Sequence, residues 1–300
     1  MPEALYALIP IIAWGTWLAP SQNVHFPNQQ VKTLYVTGAN LVLALAVLLL
    51  QQAGSLSAMS QPSFWLVFAG GVIWTLSGVC AFTATAQIGT ARAFGIWAPL
   101  NIIVSILWGA LLFGEFPSSD TSNLLRLTAS LALIIPGVLL IIFAKGSAET
   151  RRGGGRIAWL GYAGAIGAGI LWGSYFIPVK LADVSMWVGS FPLALGMFAS
   201  SVLLVFLARQ SHKLSHSSDV LRTLLTGLLW GVGNFGMLLL VDALGAGRGF
   251  TIAQLSVVVN ALVGIFLLKD PIPGSPSAWR TLFGCVLATL GGILLGHLNY

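Results

Sequence analysis

Long apolar runs separated by short polar segments dominate this chain. Ten runs are near the roughly 20 residues that a helix needs to cross the hydrocarbon core of a bilayer. They lie at about 3–20, 32–52, 64–86, 92–113, 124–144, 157–177, 186–208, 220–241, 248–268 and 278–298. The pattern predicts an all-α integral membrane protein with ten transmembrane helices, and no connecting segment is long enough to fold as a soluble domain.

Composition supports a membrane location. Hydrophobic residues make up 57% of the chain and charged residues only 7%, whereas soluble domains carry roughly 25% charged residues. So little charge cannot coat a water-soluble globule of this length, so lipid must cover most of the surface. The net charge of +6 comes from basic residues scattered over loops, which is typical of membrane topology rather than of nucleic-acid binding.

The chain contains an internal repeat. Trp14-Gly15-Thr16-Trp17 returns as Trp172-Gly173-Ser174-Tyr175, and at a constant offset Trp74 matches Trp230. Further matched pairs at that offset are Gly89 with Gly245, Arg92 with Arg248, Phe94 with Phe250 and Pro117 with Pro273. These matches predict a first five-helix repeat over 1–146, a polar linker over 147–156 and a second repeat over 157–300.

An odd number of helices per repeat makes the second half enter the membrane in the opposite sense. Inverted duplications of this kind are typical of secondary transporters, with the substrate site near the midplane between the halves. Basic residues set the orientation: once repeat-related pairs cancel, nine lie in odd-numbered loops and one in even-numbered loops. We therefore predict a multi-pass plasma-membrane protein with odd loops in the cytoplasm and both termini outside.

The chain resembles the drug/metabolite transporter superfamily, and most closely its glucose/ribose uptake branch. The segment Gly173-Ser174-Tyr175-Phe176-Ile177-Pro178-Val179-Lys180 is similar to the one that closes the sixth helix in the sugar-uptake branch. Ile88-Gly89-Thr90-Ala91-Arg92-Ala93 through Phe113-Gly114-Glu115 resembles the fourth-helix region of those proteins. The resemblance implies a ten-helix transporter that takes up a monosaccharide.

Aromatic side chains supply the first candidate binding residues. Trp74 and Trp230 lie in the middle of predicted helices, and Trp14 and Trp172 lie deeper than the membrane interface. An indole face can pack against the C–H face of a sugar ring while its N–H serves a hydroxyl. The alternative interpretation is core packing between helices.

Neutral amides supply the second group. An amide in hydrocarbon is costly unless it is paired, so these residues are expected to face the bundle interior. They serve either as solute ligands or as hydrogen bonds between helices. The full predicted set of substrate-binding residues is Trp14, Asn40, Trp74, Trp97, Asn101, Trp172, Tyr175, Trp230, Asn234, Gln254 and Asn260.

All eight acidic residues lie in loops or near helix ends. A transport path for cations would need a carboxylate in the middle of the membrane, and a path for anions would need a Lys or Arg there. The pattern therefore favours a small neutral solute. Asp242 and Glu115 are the candidates for proton coupling, with Arg248 or Lys180 as partner. The alternative for both carboxylates is a simple cap at the membrane interface.

Other functional classes receive less support. An exporter of metabolites or drugs on the same fold remains the alternative. An intramembrane enzyme would need paired carboxylates, a metal-binding histidine cluster or a nucleophile–base pair at depth, and the four histidines lie in loops or at the last helix end. We therefore expect no catalytic residues, no metal and no cofactor. The expected partners are a neutral solute, protons and the lipid bilayer.

Overall fold

A computed structural model describes residues 2–17, 19–21, 24–50, 61–88, 90–115, 121–144, 156–184, 186–209, 214, 216–267 and 272–296. Throughout these ranges the regular secondary structure is helical. The predicted linker falls outside them, except for Arg156, which begins a helix.

Twelve helices follow one another along the described chain. Their bounds are α1 Pro2–Thr16, α2 Gln29–Leu50, α3 Pro62–Ile88, α4 Thr90–Phe113, α5 Thr121–Ala144, α6 Arg156–Trp172, α7 Ile177–Leu181, α8 Met186–Ala208, α9 Ser217–Leu244, α10 Ala246–Ala253, α11 Ser256–Leu262 and α12 Pro276–Gly296. A π-helical turn, Val263–Leu267, continues α11.

The predicted all-helical membrane fold is confirmed. In the described part of the chain, nine segments are long and apolar enough to cross a membrane, each with at least 18 residues. The first predicted run is shorter than expected, because α1 ends at Thr16 after 15 residues. At 1.5 Å per residue it is roughly 22 Å long, below the roughly 30 Å of a hydrocarbon core.

Two predicted helices are interrupted. The sixth run stops at Trp172, turns through Gly173–Phe176 and resumes as the short helix α7, where Pro178 lies in the first turn. The ninth run divides into α10 and α11 at Gln254 and Leu255. Broken helices are tolerated at membrane depth only where protein buries the freed backbone groups or a cavity hydrates them.

Helices α9 and α10 meet at a single residue. The sequence predicted a loop between its eighth and ninth runs, but only Gly245 separates the two helices, with φ of 89°. Residues other than glycine rarely adopt this backbone conformation. A Cβ at this position would also lie 2.7 Å from the Glu115 carboxyl group. Glycine is therefore required by the backbone and by the neighbouring side chain.

Helices of one predicted half pack mainly on helices of the other. The largest contacts join α5 with α12, α3 with α6 and α8, α1 with α9, and α2 with α8 and α9. Small residues allow this close approach: a Cβ at Gly196 of α8 would lie 2.1 Å from the carbonyl oxygen of Phe68 on α3. Such contacts are typical of helix packing in membranes, where van der Waals fit replaces the hydrophobic effect.

Large apolar side chains cover the outside of the bundle. Leu50, Leu111 and Phe206 are each more than three-quarters exposed, as expected where lipid is the solvent. Trp65, Trp159, Trp187 and Trp279 lie near helix starts and are also exposed. Their placement matches the aromatic belt that membrane proteins present to the interface.

Candidate solute-binding site

A cavity of about 340 Å³ lies in the middle of the bundle. Because residues of the α1–α2 connection line it, we take that end of the bundle as its opening and name it the mouth end. Its walls come from α1, the α1–α2 connection and α2, and from α3, α4, α6, α9, α10 and α11. The lining residues are Trp14, Trp17, Ser21, Val24, Phe26, Gln29, Lys32, Trp74, Trp97, Ala98, Asn101, Trp172, Tyr175, Trp230, Phe250, Gln254, Ser256, Val257 and Asn260.

Five tryptophans form a continuous array along the cavity wall. Ring centroids are 6.2 Å apart for Trp14 and Trp230, and 4.6 Å apart for Trp230 and Trp74. The array continues from Trp74 to Trp172 at 6.3 Å and from Trp172 to Trp97 at 5.4 Å, with the last pair edge-to-face. These separations lie in the range of favourable aromatic contacts, so each ring holds its neighbours in place.

The repeated tryptophan–glycine motif explains two positions in the array. Trp14 lies in the last turn of α1 and Trp172 is the last residue of α6, so both indoles stand beside helix ends within the bundle. The Trp14 Nε1–H donates a hydrogen bond to the carbonyl oxygen of Trp230 at 3.1 Å. This bond ties α1 to α9 and fixes the plane of the Trp14 ring.

Most of the predicted binding residues meet at the cavity. Asn101, Tyr175, Gln254 and Asn260 line it together with the five tryptophans. The Asn260 amide donates to the Gly15 carbonyl oxygen at 3.2 Å, which holds α11 against the end of α1. Asn101 is buried, and its Oδ1 has no hydrogen-bond partner within the described residues.

Two predicted residues stand away from the cavity lining. Asn234 accepts a hydrogen bond from the Tyr175 hydroxyl at 2.9 Å, so it sits behind a lining residue and orients it. Asn40 donates to the Met197 sulfur at 3.5 Å and lies against α9 near Gly231. Its contacts are those of a hydrogen bond between helices, the alternative interpretation for these amides.

Several lining residues were missing from the predicted set. Lys32 is the one charged side chain among the described lining residues, and its Nζ lies 5.4 Å from the centroid of the Phe26 ring near the mouth. In the sequence, Lys32 counts only as one of the basic residues of the odd-numbered loops. Phe250 was visible as the repeat partner of Phe94, and it contacts Trp14, Tyr175 and Phe176.

The cavity ends at an aromatic floor on the side away from the mouth. Phe176 and Phe250 stack with centroids 4.6 Å apart and planes 22° apart, and Tyr175 packs edge-on against both. All three side chains are buried. This layer separates the cavity from the opposite end of the bundle, which we name the closed end.

Glu115 joins three helices at the closed end. Its carboxylate accepts hydrogen bonds from the backbone N–H groups of Ala246 and Gly247, in the first turn of α10, the latter at 2.8 Å. Lys180 of α7 forms an ion pair with it at 3.1 Å and lies 4.8 Å from the centroid of the Phe113 ring. The carboxylate is 7% exposed, and a negative charge at a helix N-terminus is stabilised by the helix dipole.

The other predicted coupling residues have different surroundings. Arg248 lies in the same first turn of α10 and is buried. Asp242 lies three residues before Gly245, in the last turn of α9, and its side chain is exposed. Of the two candidate carboxylates, only Glu115 is held between helices of both halves.

Comparison with known proteins identifies the family. A model of the sugar transport protein family matches residues 5–298. The chain belongs to this family. The match spans nearly the whole chain, so both predicted halves fall within it. The predicted relation to sugar-uptake proteins of the drug/metabolite transporter type is thereby confirmed.

Relatives of this chain match over nearly their full length. A protein of Enterococcus faecalis named "Putative sugar uptake protein" is 26% identical, covering 98% of this chain and 99% of its own. A Priestia megaterium protein named "Probable glucose uptake protein GlcU" is 24% identical, covering 98% of each chain. One solved structure superposes with a TM-score of 0.71 at 19% identity, over 98% of this chain and 96% of its own, which shows a shared fold.

Proposed function

We propose that this protein carries a monosaccharide across the plasma membrane by alternating access. The observation that carries the proposal is a cavity lined by six tryptophans, five of them in one array, with neutral amides set among them. Sites for small molecules span roughly 300–1,000 Å³, so about 340 Å³ is at the lower end and suits a single sugar ring. The names of the relatives point to the same class of solute.

The polarity of the cavity also favours a sugar. Indole faces suit the C–H face of a pyranose ring, while the amides of Asn101, Gln254 and Asn260 suit its hydroxyls. Among the described lining residues no acidic side chain offers a site for a cation. The positive charge of Lys32 at the mouth further disfavours cationic solutes, because like charges repel.

In alternating access, two structurally related halves exchange conformations around the substrate site. The packing of the helices supports such a relation between the two halves. The contact of α3 with α6 has a counterpart in α9 with α1, as an inverted duplication requires. The centroid distance of 6.2 Å between Trp14 and Trp230 likewise pairs with 6.3 Å between Trp172 and Trp74. The cavity lies where these paired elements meet, the usual location of a transport site.

Proton coupling through Glu115 is part of the proposal. Protonation would remove the charge that binds Lys180 and the first turn of α10, and would therefore loosen the closed end. Glu115 lies just after the end of α4, Lys180 lies on α7, and the two N–H groups belong to α10. Loosening these contacts therefore allows the three helices to separate and the closed end to open. The exposed carboxylate of Asp242 is the second candidate for the coupling group, and the two are compared below.

Basic residues orient the cavity. The mouth end carries the odd-numbered loops, where the positive charge is concentrated, so we place the mouth in the cytoplasm and both termini outside. A reporter that is active only in the cytoplasm should be silent when fused after Tyr300 and active when inserted in the 147–152 linker segment. The opposite pair of signals would invert this orientation and leave the fold unchanged.

Uptake of labelled monosaccharides into proteoliposomes tests the function directly. We expect saturable uptake of at least one hexose or pentose, inhibited by excess unlabelled sugar, and accumulation above equilibrium when the pH gradient is imposed. Empty liposomes serve as the control. If no sugar is transported and lipophilic drugs or metabolites leave the vesicles instead, the protein is an exporter on the same fold.

A further inference from the structure

Three buried polar atoms in the cavity wall have no hydrogen-bond partner within the described residues. The Ser21 Oγ belongs to the α1–α2 connection, whereas the Oδ1 of Asn101 and the Nε1–H of Trp172 belong to the packed helices α4 and α6. Asn101 is only 3% exposed. Burying a polar atom without a partner is costly, so such atoms in a native structure call for a ligand or another explanation.

Comparable indole and amide groups in and around the cavity are satisfied by the protein itself. The Nε1–H of Trp14 donates to the carbonyl oxygen of Trp230, and that of Trp108, outside the cavity, donates to the Ser174 hydroxyl at 2.8 Å. The Asn234 Oδ1 accepts from Tyr175. Asn101 and Trp172 therefore differ from their counterparts in leaving one acceptor and one donor unused.

The two atoms belong to one patch of the wall. Asn101 lies one helical turn after Trp97 on α4, so their side chains share a face. Trp172 packs edge-on against Trp97, with centroids 5.4 Å apart. The next residue, Gly173, is so close to α4 that a Cβ there would lie 3.1 Å from the Asn101 carbonyl oxygen.

We propose that Asn101 and Trp172 form the subsite that recognises one hydroxyl-bearing edge of the sugar. A hydroxyl donates to the Asn101 Oδ1, and a hydroxyl oxygen on the same edge accepts from the Trp172 Nε1–H. The inference rests on the proposed function and adds which residues determine sugar specificity. Both atoms are buried in this conformation, so neighbouring side chains have to shift for the hydroxyls to reach them.

The different roles of the tryptophan array and of the Asn101–Trp172 subsite predict how the protein selects among sugars. Indole faces accept the C–H face of any similar ring, so the rest of the array contributes affinity without distinguishing one hydroxyl position. A buried donor and acceptor reject a sugar that lacks the matching hydroxyl, because its loss leaves them unpaired again. Selectivity should therefore concentrate at one or two ring positions.

Binding of the transported sugar and of its monodeoxy analogues tests the subsite. In the native protein we expect removal of one particular hydroxyl to weaken binding roughly tenfold or more, since each lost buried hydrogen bond has about this effect. Asn101→Leu and Trp172→Phe should weaken binding of the parent sugar to a similar degree. In those variants, removal of that same hydroxyl should have little further effect.

Trp14→Phe provides the matched control. It also deletes an indole N–H from the cavity wall, but one that is already bonded to the protein. This substitution should weaken binding of the parent sugar and of all deoxy analogues by the same factor. Measuring each variant with every analogue separates loss of a specific contact from general damage to the site, and size-exclusion chromatography in detergent checks that each variant folds.

Each outcome bears on a different statement. If the native protein binds sugar, but Asn101→Leu and Trp172→Phe keep the full penalty for every missing hydroxyl, the subsite lies elsewhere and the proposed function stands. If one of the two variants fails to fold, the other still decides. If the native protein binds no sugar, the proposed function and this subsite fall together.

Discussion

Trp230→Ala should weaken sugar binding by roughly twentyfold. Trp230 is central to the aromatic array, in contact with Trp14, Trp74 and Tyr175. Trp230 is only 5% exposed, so a sugar covers little of its ring, and the expected loss comes from the neighbouring rings that it holds in place. Aromatic contacts are worth about 0.5–1.5 kcal/mol each, and a loss of about 1.8 kcal/mol corresponds to that factor. The half-saturation concentration of uptake in proteoliposomes measures the effect.

The control for Trp230→Ala is Trp279→Ala on α12. Trp279 is 66% exposed at the outside of the bundle, so its removal deletes the same side chain without touching the cavity. Its half-saturation concentration should equal that of the native protein. Because Trp230 is buried and its truncation leaves a void that destabilises the bundle, Trp230→Phe is tested in parallel and should show a smaller loss. Unaltered half-saturation in both Trp230 variants would mean that this indole only packs the core.

Glu115→Gln should abolish accumulation of sugar driven by a pH gradient while exchange of sugar across the membrane continues. The substitution keeps the size of the side chain but removes the charge that binds Lys180 and the N–H groups of Ala246 and Gly247. Charge-assisted hydrogen bonds contribute about 1.5–3 kcal/mol each. Losing them should shift the equilibrium toward opening of the closed end by tenfold or more and uncouple it from the proton.

Asp242→Asn is the matched comparison, since the sequence nominates both carboxylates and the substitution is equally conservative. We expect accumulation to persist in this variant, because the Asp242 side chain is exposed on α9 rather than held between helices. Gradient-driven accumulation and counterflow exchange are measured side by side for both variants. Loss of accumulation in Asp242→Asn, with none in Glu115→Gln, would place coupling at the end of α9.

The breaks in two helices show where the apolar pattern stops being informative. The run 248–268 predicts one helix, yet the chain turns at Gln254 and Leu255 between α10 and α11. Neither a proline nor a glycine marks this point, and the run as a whole is apolar enough to cross a membrane as one span. Whether the freed backbone groups are tolerated depends on what surrounds them, which is a property of the packed bundle. At the break after Trp172, by contrast, Gly173 and Pro178 are residues typical of a helix interruption.

The amides show the same limit for the binding site. From the sequence, Asn40, Asn101 and Asn234 are equivalent polar residues in apolar helices, each expected to face the interior. In the folded protein Asn40 joins helices, Asn234 orients Tyr175, and Asn101 faces the cavity with an unused acceptor. Local sequence cannot separate these roles, because the partner of each amide lies on a helix far away in the chain.

The amino-acid sequence by itself determined that this protein lies in a membrane, that its fold is all-α, and which residue types form its site. Those features follow from counts, run lengths and repeats, since a bilayer demands long apolar helices and penalises unpaired charge. Tertiary structure alone decided which helix faces line the cavity, that Lys32 stands at its mouth and that Glu115 meets both Lys180 and α10. In a membrane most residues on both the lipid-facing and the protein-facing sides of a helix are apolar. Apart from the buried amides and tryptophans, little in the sequence distinguishes the two sides, and packing between distant segments makes the choice.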